Sequence, residues 1–199
     1  MSARIHLVRH CAHADVGRVL SGRQAGGALT AEGRAQAHWL AGEIARGEPI
    51  AAIHSSPQQR ARETAKEVAD RLGLTVRVVA ALDEIDFGTW TGRSFAELEA
   101  DQAWQSWNAT RSTACPPGGE TMATAVGRAV KHVEAVASGN PKAAVLCVSH
   151  CDIIRGVVAH YLGLGLDNLL RFDVDPGSVS TLIVGPWGGR LHTLNRGHA

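Results

Sequence analysis

Residues 143–149, AAVLCVS, form an apolar run without a charged or amide side chain, and the run ends in Ser149 and His150. A strand with no polar alternation must be covered on both faces. Sheets of that kind are built from parallel strands with helices on either side. Other segments fit such a sheet. Ile5, Leu7 and Val8 mark a first short strand, residues 50–54 a second, and residues 75–79, rich in β-branched residues, a third.

Helical patterns fall between these strands. Thr30 is placed to cap a helix over 31–46, with Leu40, Ala41 and Ile44 on one face. Ser56-Pro57 predicts an N-cap followed by proline at the first helical position, and Gly73 predicts the end of that helix. Ser94 and Glu97 have capping-box spacing. Met122, Val126, Val130 and Val133 mark a helix lasting to about residue 137, and another is expected over 152–162. The tail offers strands near 178–184 and 191–194, joined through PWGG. Strands alternating with helices predict an α/β fold, a three-layer α/β/α sandwich with a mostly parallel central sheet. The linker-like stretch 112–119 is too short for a domain boundary, so one domain is expected over 1–199.

Formal net charge is +1 in 199 residues, which gives no bulk attraction to nucleic acid or to an anionic membrane. The N-terminus MSARIHLVRH lacks the apolar core of a signal peptide, and no apolar stretch is long enough to span a bilayer. A cytoplasmic protein is expected. The four cysteines lack the spacing of a secreted disulfide scaffold.

In open α/β sheets, ligands bind beyond the carboxyl ends of the strands. The first strand delivers Arg9 and His10 there. The second delivers Ser55, Ser56 and, one turn on, Arg60. The third delivers Asp83, Glu84 and Asp86, and the fourth Ser149 and His150. Arginine matches phosphate geometry with forked donors. A neutral imidazole is a competent nucleophile. A carboxylic acid that keeps its proton can protonate a leaving oxygen. No Walker-type glycine loop is present. The set suits phosphoryl transfer without nucleotide-driven chemistry. Zinc or copper would also accept His10, Cys11, His13, Cys147, His150 and Cys151. A metal on His10 and His150 would, however, consume the lone pairs that a nucleophile needs.

Five blocks carry a family likeness. "LVRHCAHAD" (7–15) resembles the Arg-His-Gly signature of the histidine phosphatase superfamily, the phosphoglycerate mutase-like enzymes. "SSPQQRARETA" (55–65), "LDEIDFGTWTG" (82–92), "PGGET" (117–121) and "VSHCDIIRGVVAHYLGL" (148–164) resemble its remaining blocks, in the family's order and over nearly the whole chain. The resemblance implies His10 as a nucleophile that becomes phosphohistidine. It implies Arg9, Arg60 and His150 as holders of the phosphoryl oxygens, and Glu84 as proton donor to the leaving group and later the base for water. His13 stands where the family often places a phosphate-contacting Ser or Thr, and it is a further phosphate-binding candidate. The resemblance implies no metal and no cofactor. The expected partner is a small phosphomonoester, with no nucleic acid and no membrane. The oligomeric state is left open.

Three positions depart from the pattern. Cys11 follows the nucleophile where the family usually has Gly or Ala, His13 replaces the hydroxyl residue, and Val16 stands where the mutases carry asparagine. A hydrolase acting on a phosphorylated metabolite is therefore the expectation. The alternatives are a cofactor-dependent phosphoglycerate mutase and a non-catalytic phosphate-binding regulatory module. Asp86 competes with Glu84 for the acid role. Cys11 and Cys151 each follow a site histidine, and a reversible disulfide between thiols activated by nearby arginines is weighed against simple space-filling. Trp90, Trp104 and Trp107 are expected as packing or pocket wall. His38, His54, His132, His160, His192 and His198 lack site context and are expected to be structural or exposed.

Overall fold

A computed structural model describes residues 1–197, so His198 lies outside the described residues. Six strands form one sheet: β1 (Ala3–Arg9), β2 (Ile50–Ser55), β3 (Val76–Val78), β4 (Ala144–Ser149), β5 (Val179–Gly185) and β6 (Gly188–Arg196). Their order is β3-β2-β4-β1-β5-β6. The β3-β2, β2-β4 and β4-β1 pairs are parallel; β1-β5 and β5-β6 are antiparallel. The fold is thus mixed α/β with a mostly parallel sheet flanked by helices.

The helices are α1 (Ala31–Arg46), α2 (Gln59–Leu72), α3 (Phe95–Glu99), α4 (Gln102–Ala109), α5 (Met122–Gly139) and α6 (Cys151–Leu162). Two apolar layers sandwich the sheet. On one face Val8, Ile53, Leu146 and Val148 pack against Leu40 of α1 and Ala61, Ala65 and Val68 of α2. On the other, Ile5, Leu7, Val145 and Leu182 pack against α5 and α6. β4 is buried along its whole length, as its sequence requires. Each fully buried Leu, Ile or Val stabilises by about 1.5–3 kcal/mol.

Local signals place most helix ends. Thr30 Oγ1 accepts from the Gly33 N–H at 3.1 Å. Ser94 and Glu97 form both halves of a capping box, and Thr121 caps α5. Gly73 and Gly163 end α2 and α6 in the left-handed conformation.

Three boundaries differ from expectation. The helix foreseen from Ser56-Pro57 starts at Gln59 with Gln58 as N-cap. Ser56 Oγ lies 2.7 Å from His150 Nε2 and within reach of Asp83. The same hydroxyl accepts from the Gln58 N–H at 3.3 Å, so it closes the turn before the helix and does not cap the helix itself. The third strand spans only Val76–Val78, because its single neighbour is β2 at the sheet edge. β6 begins at Gly188 rather than at 191. Gly185 and Gly188 pair directly, so only Pro186 and Trp187 turn the chain. Gly189 must lack a side chain because its Cβ would lie 2.6 Å from the Tyr161 ring.

Candidate active site

β1 and β4 are neighbours, with Arg9 opposite Ser149. Their carboxyl ends therefore release His10 and His150 side by side. The two imidazole centroids are 5.2 Å apart, and His13 lies 5.2 Å from His10 on another side. A cavity of about 420 Å³ opens there, walled by Arg9, His10, His13, Arg60 and Glu84.

The tautomer of His10 is set by its surroundings. Nδ1–H donates to the Cys11 carbonyl oxygen at 2.9 Å. Nε2 then keeps its lone pair. Burial first, and the Arg60 guanidinium second, hold His10 well below the usual imidazole range. It is neutral at neutral pH, as a nucleophile must be. Burial, with Arg60 next, brings His13 down to about 4, so it too is neutral.

Arg60 is buried on α2, and Nη2 donates to the Gly22 carbonyl at 2.7 Å and to His150 Nδ1 at 3.3 Å. Arg9 Nη1 donates to the Val174 carbonyl at 2.6 Å. The Nε–H groups of both arginines are buried without a protein partner among the described residues. Such donors are expensive to leave unpaired. Both guanidinium groups line the cavity, so an oxyanion there would meet two positive charges.

The His150 ring is fully buried and does not wall the cavity. Nδ1 accepts from Arg60, so Nε2–H is the atom that donates to Ser56 Oγ, and the Ser56 hydroxyl reaches Asp83 Oδ1 at 3.3 Å. Both ring nitrogens are engaged by protein. His150 thus sits 5.2 Å from His10, with Nδ1 against Arg60.

Glu84 lies on the cavity wall, 13% exposed, with Oε2 3.7 Å from His150 Nδ1. Burial, with Asp152 adding repulsion, raises its carboxyl to about 7. Asp86 is 44% exposed, lies off the cavity, and turns Oδ1 to the Gly88 N–H and Oδ2 toward Arg23. Of the two, only Glu84 is placed to reach a substrate in this cavity.

Residue-by-residue reading of the sequence missed the frame that holds Glu84. Its backbone carbonyl accepts from Arg23 Nε at 2.8 Å and Arg128 Nη2 at 2.9 Å, and both arginines bind Glu120 Oε1. Glu120 stands within the PGGET block, which was the available signal. Two glycines let the blocks interlock: a Cβ on Gly88 would lie 2.1 Å from the Pro117 carbonyl oxygen, and one on Gly119 2.2 Å from that of Asp86. The outer cavity wall adds Val16, Phe87, Phe95 and Trp104, together with Arg111 and Arg155, which pair with Asp152.

The cysteines do not form an activated pair. Cys11 packs with Leu29 and Ala37 of α1, whereas Cys151 packs against the α5–α6 core. Burial pushes both thiols up to about 11, against the expected activation by arginine. Trp90 and Trp107 are core residues, and Trp104 is cavity wall. Among the described residues no helix is long and apolar enough to cross a membrane.

The model of the histidine phosphatase superfamily (branch 1) matches residues 5–197. A bifunctional protein of Mycobacterium tuberculosis is 38% identical over 141 residues, which is 70% of this chain but 39% of that protein. The chain thus spans about two fifths of the length of those mycobacterial relatives. Phosphoserine phosphatase 1 of Hydrogenobacter thermophilus is 30% identical over 156 residues, 77% of this chain and 74% of the relative. The solved structure of a mycobacterial glucosyl-3-phosphoglycerate phosphatase superposes with a TM-score of 0.87 at 26% identity, covering 98% of this chain and all of that one.

Proposed function

The chain belongs to the histidine phosphatase superfamily, and from that premise we propose that it hydrolyses phosphomonoesters of small metabolites through a phosphohistidine on His10. The observation that carries this reading is the fixed tautomer of His10. Its Nε2 lone pair is held free and neutral in a cavity shared with two guanidinium groups and a carboxylic acid.

His10 Nε2 attacks phosphorus and the P–O ester bond breaks. Arg9 and Arg60 hold the phosphoryl oxygens and offset their developing charge. Glu84 gives its proton to the leaving oxygen, releasing an alcohol. The resulting carboxylate takes a proton from water, whose oxygen attacks the phosphohistidine. Inorganic phosphate leaves, and His10 and Glu84 return to their starting states. His150 positions Arg60 through Nδ1. His13 lines the same cavity as a neutral group able to donate one hydrogen bond to a phosphoryl oxygen. The two arginines supply the positive charge that a magnesium ion otherwise would, so the reaction runs without metal. We place this chemistry in the cytoplasm.

The test measures phosphate release from a panel of phosphomonoesters in the presence of a chelator. Wild type should turn over, and acid-labile, base-stable phosphate should be trapped on it. His10→Ala should stay folded and lose ~10³-fold or more in kcat. Near-normal kcat in His10→Ala would overturn the mechanism. So would activity lost to the chelator and restored by magnesium.

A further inference from the structure

The sheet holds a second group of metal-ligating side chains that the phosphatase site does not use. His54 on β2 and Cys147 on β4 are register partners across a parallel pair, which sets their side chains on one face of the sheet. That is the α5 face, where Cys147 joins the larger core. α5 lays His132 over them, with its Nε2 3.1 Å from His54 Nδ1 and the ring centroids 5.1 Å apart. One ring nitrogen of each histidine and Cys147 Sγ all lie within 4.8 Å of one another.

We propose that His54, His132 and Cys147 bind one zinc-class cation. Tetrahedral zinc with N and S ligands needs donor atoms roughly 3.3–3.6 Å apart, as bond lengths of about 2.0–2.3 Å dictate. The two nitrogens, 3.1 Å apart, are already close to that spacing, and the sulfur distances, at most 4.8 Å, meet it with shifts of up to about 1.2 Å. Two imidazoles and a thiolate are ligands that zinc accepts and that hard cations do not favour. The three come from β2, α5 and β4, so the backbone already holds them together and little ordering remains for the metal to impose.

A surface cleft lined by His54, His132, Arg77 and Asn140 gives the ion a path and leaves its fourth position to water. Arg77, the register partner of His54 on β3, opposes a cation. Its side chain is exposed, and the thiolate charge offsets it. On binding, the Cys147 thiol proton goes to solvent. The imidazole proton shared between His54 and His132 moves to a non-ligating ring nitrogen. One proton is therefore released per ion.

The consequence for the fold follows from position. His54 stands two residues before Ser56, and Cys147 three residues before His150. A cation there ties together the two strand ends that deliver the Ser56–His150 hydrogen bond. The proposal does not depend on the phosphatase reading.

The experiment titrates full-length, metal-free protein with zinc alone, and with cobalt as a spectroscopic substitute. Wild type should bind one ion per chain and show a thiolate-to-cobalt charge-transfer band. Zinc should raise its Tm, since a ligand that binds only the folded state stabilises it. His10→Ala and Cys115→Ala should do the same, which separates this site from the catalytic histidines and from the exposed thiol. His132→Ala and Cys147→Ala should bind at least about tenfold more weakly, lose the band and show no Tm gain. Unchanged affinity in those two variants would overturn the proposal, as would loss of binding in His10→Ala. Should either variant fold poorly, the wild-type spectrum alone decides: one bound cobalt without a thiolate band excludes Cys147 as a ligand.

Discussion

Glu84 and Asp86 stand two residues apart in one loop and meet opposite environments. Glu84 is enclosed beside His150 and Asp152, and its carboxyl rises from the usual 4.5 to about 7. Asp86 faces solvent and Arg23. A general acid matters most when the leaving group is poor. Glu84→Gln should therefore cut hydrolysis of alkyl phosphates by about 10²–10⁴-fold while sparing nitrophenyl phosphate far more. Asp86→Asn should show no such selectivity. The pH profile carries the same signature. Above pH about 7, Glu84 gives up its proton, so kcat/KM for an alkyl phosphate should fall with rising pH in wild type, and that limb should vanish in Glu84→Gln. A selectivity seen in Asp86→Asn instead would transfer the acid role to that residue.

At the scale of elements, α6 must approach α5 closely because its N-terminus carries His150 and Cys151 into the site. Gly156 permits this. A Cβ there would lie 2.1 Å from Val126 Cγ2. Replacing a helical glycine with alanine normally stabilises by about 0.5–1 kcal/mol. Here the clash reverses the sign, and Gly156→Ala should destabilise by about 1–3 kcal/mol. Val126→Ala removes the obstructing methyls, so the double variant should recover part of that loss. Urea denaturation of the four proteins in the cycle measures the coupling. Additive effects would mean that the two helices do not meet through this pair. Gly33 plays a similar part for α1, where a Cβ would lie 1.9 Å from the Ala12 carbonyl oxygen. The helix thereby presses on the loop that follows His10.

For the whole molecule, buried and half-buried histidines set the response to acid. His10, His150 and His13 are all lowered, by burial first and by Arg60 second. The unfolded chain takes up protons on them below pH about 6.5, while the folded chain resists. A group with a depressed folded pKa stabilises above its unfolded pKa, and that stability is lost as pH falls. Glu84 acts in the opposite direction between 4.5 and about 7, because the folded state keeps a proton that the unfolded chain releases. His6, His54 and His132 are lowered as well, with burial the first cause in each. Six histidines outweigh one carboxyl, so the urea midpoint should drop from pH 7 to pH 5. A flat midpoint over that range would show that the histidines are charged in the fold.

The sequence by itself determined the layered α/β plan. The apolar run of β4 demands cover on both faces. Thr30, Ser94, Thr121, Gly73 and Gly163 end their helices through bonds and dihedrals made within a few residues. Arg9 and His10 at the end of β1, and Arg60 in the first turn of the helix after β2, were legible because strand polarity sends them to one end of the sheet. Tertiary structure decided the rest, because burial and charge depend on neighbours remote in the chain. The order β3-β2-β4-β1-β5-β6 is not written in any local pattern, and it sets His150 beside both His10 and Arg60. It moves the start of α2 past Ser56, whose hydroxyl finds His150 and Asp83. It seats Cys11 and Cys151 in different packing clusters. It also joins His54, His132 and Cys147, which lie on three separate elements and which the sheet and α5 bring within 4.8 Å. Glu84 differs from Asp86 in its desolvation, and desolvation is settled only when the α5 and α6 layer closes over the strand ends.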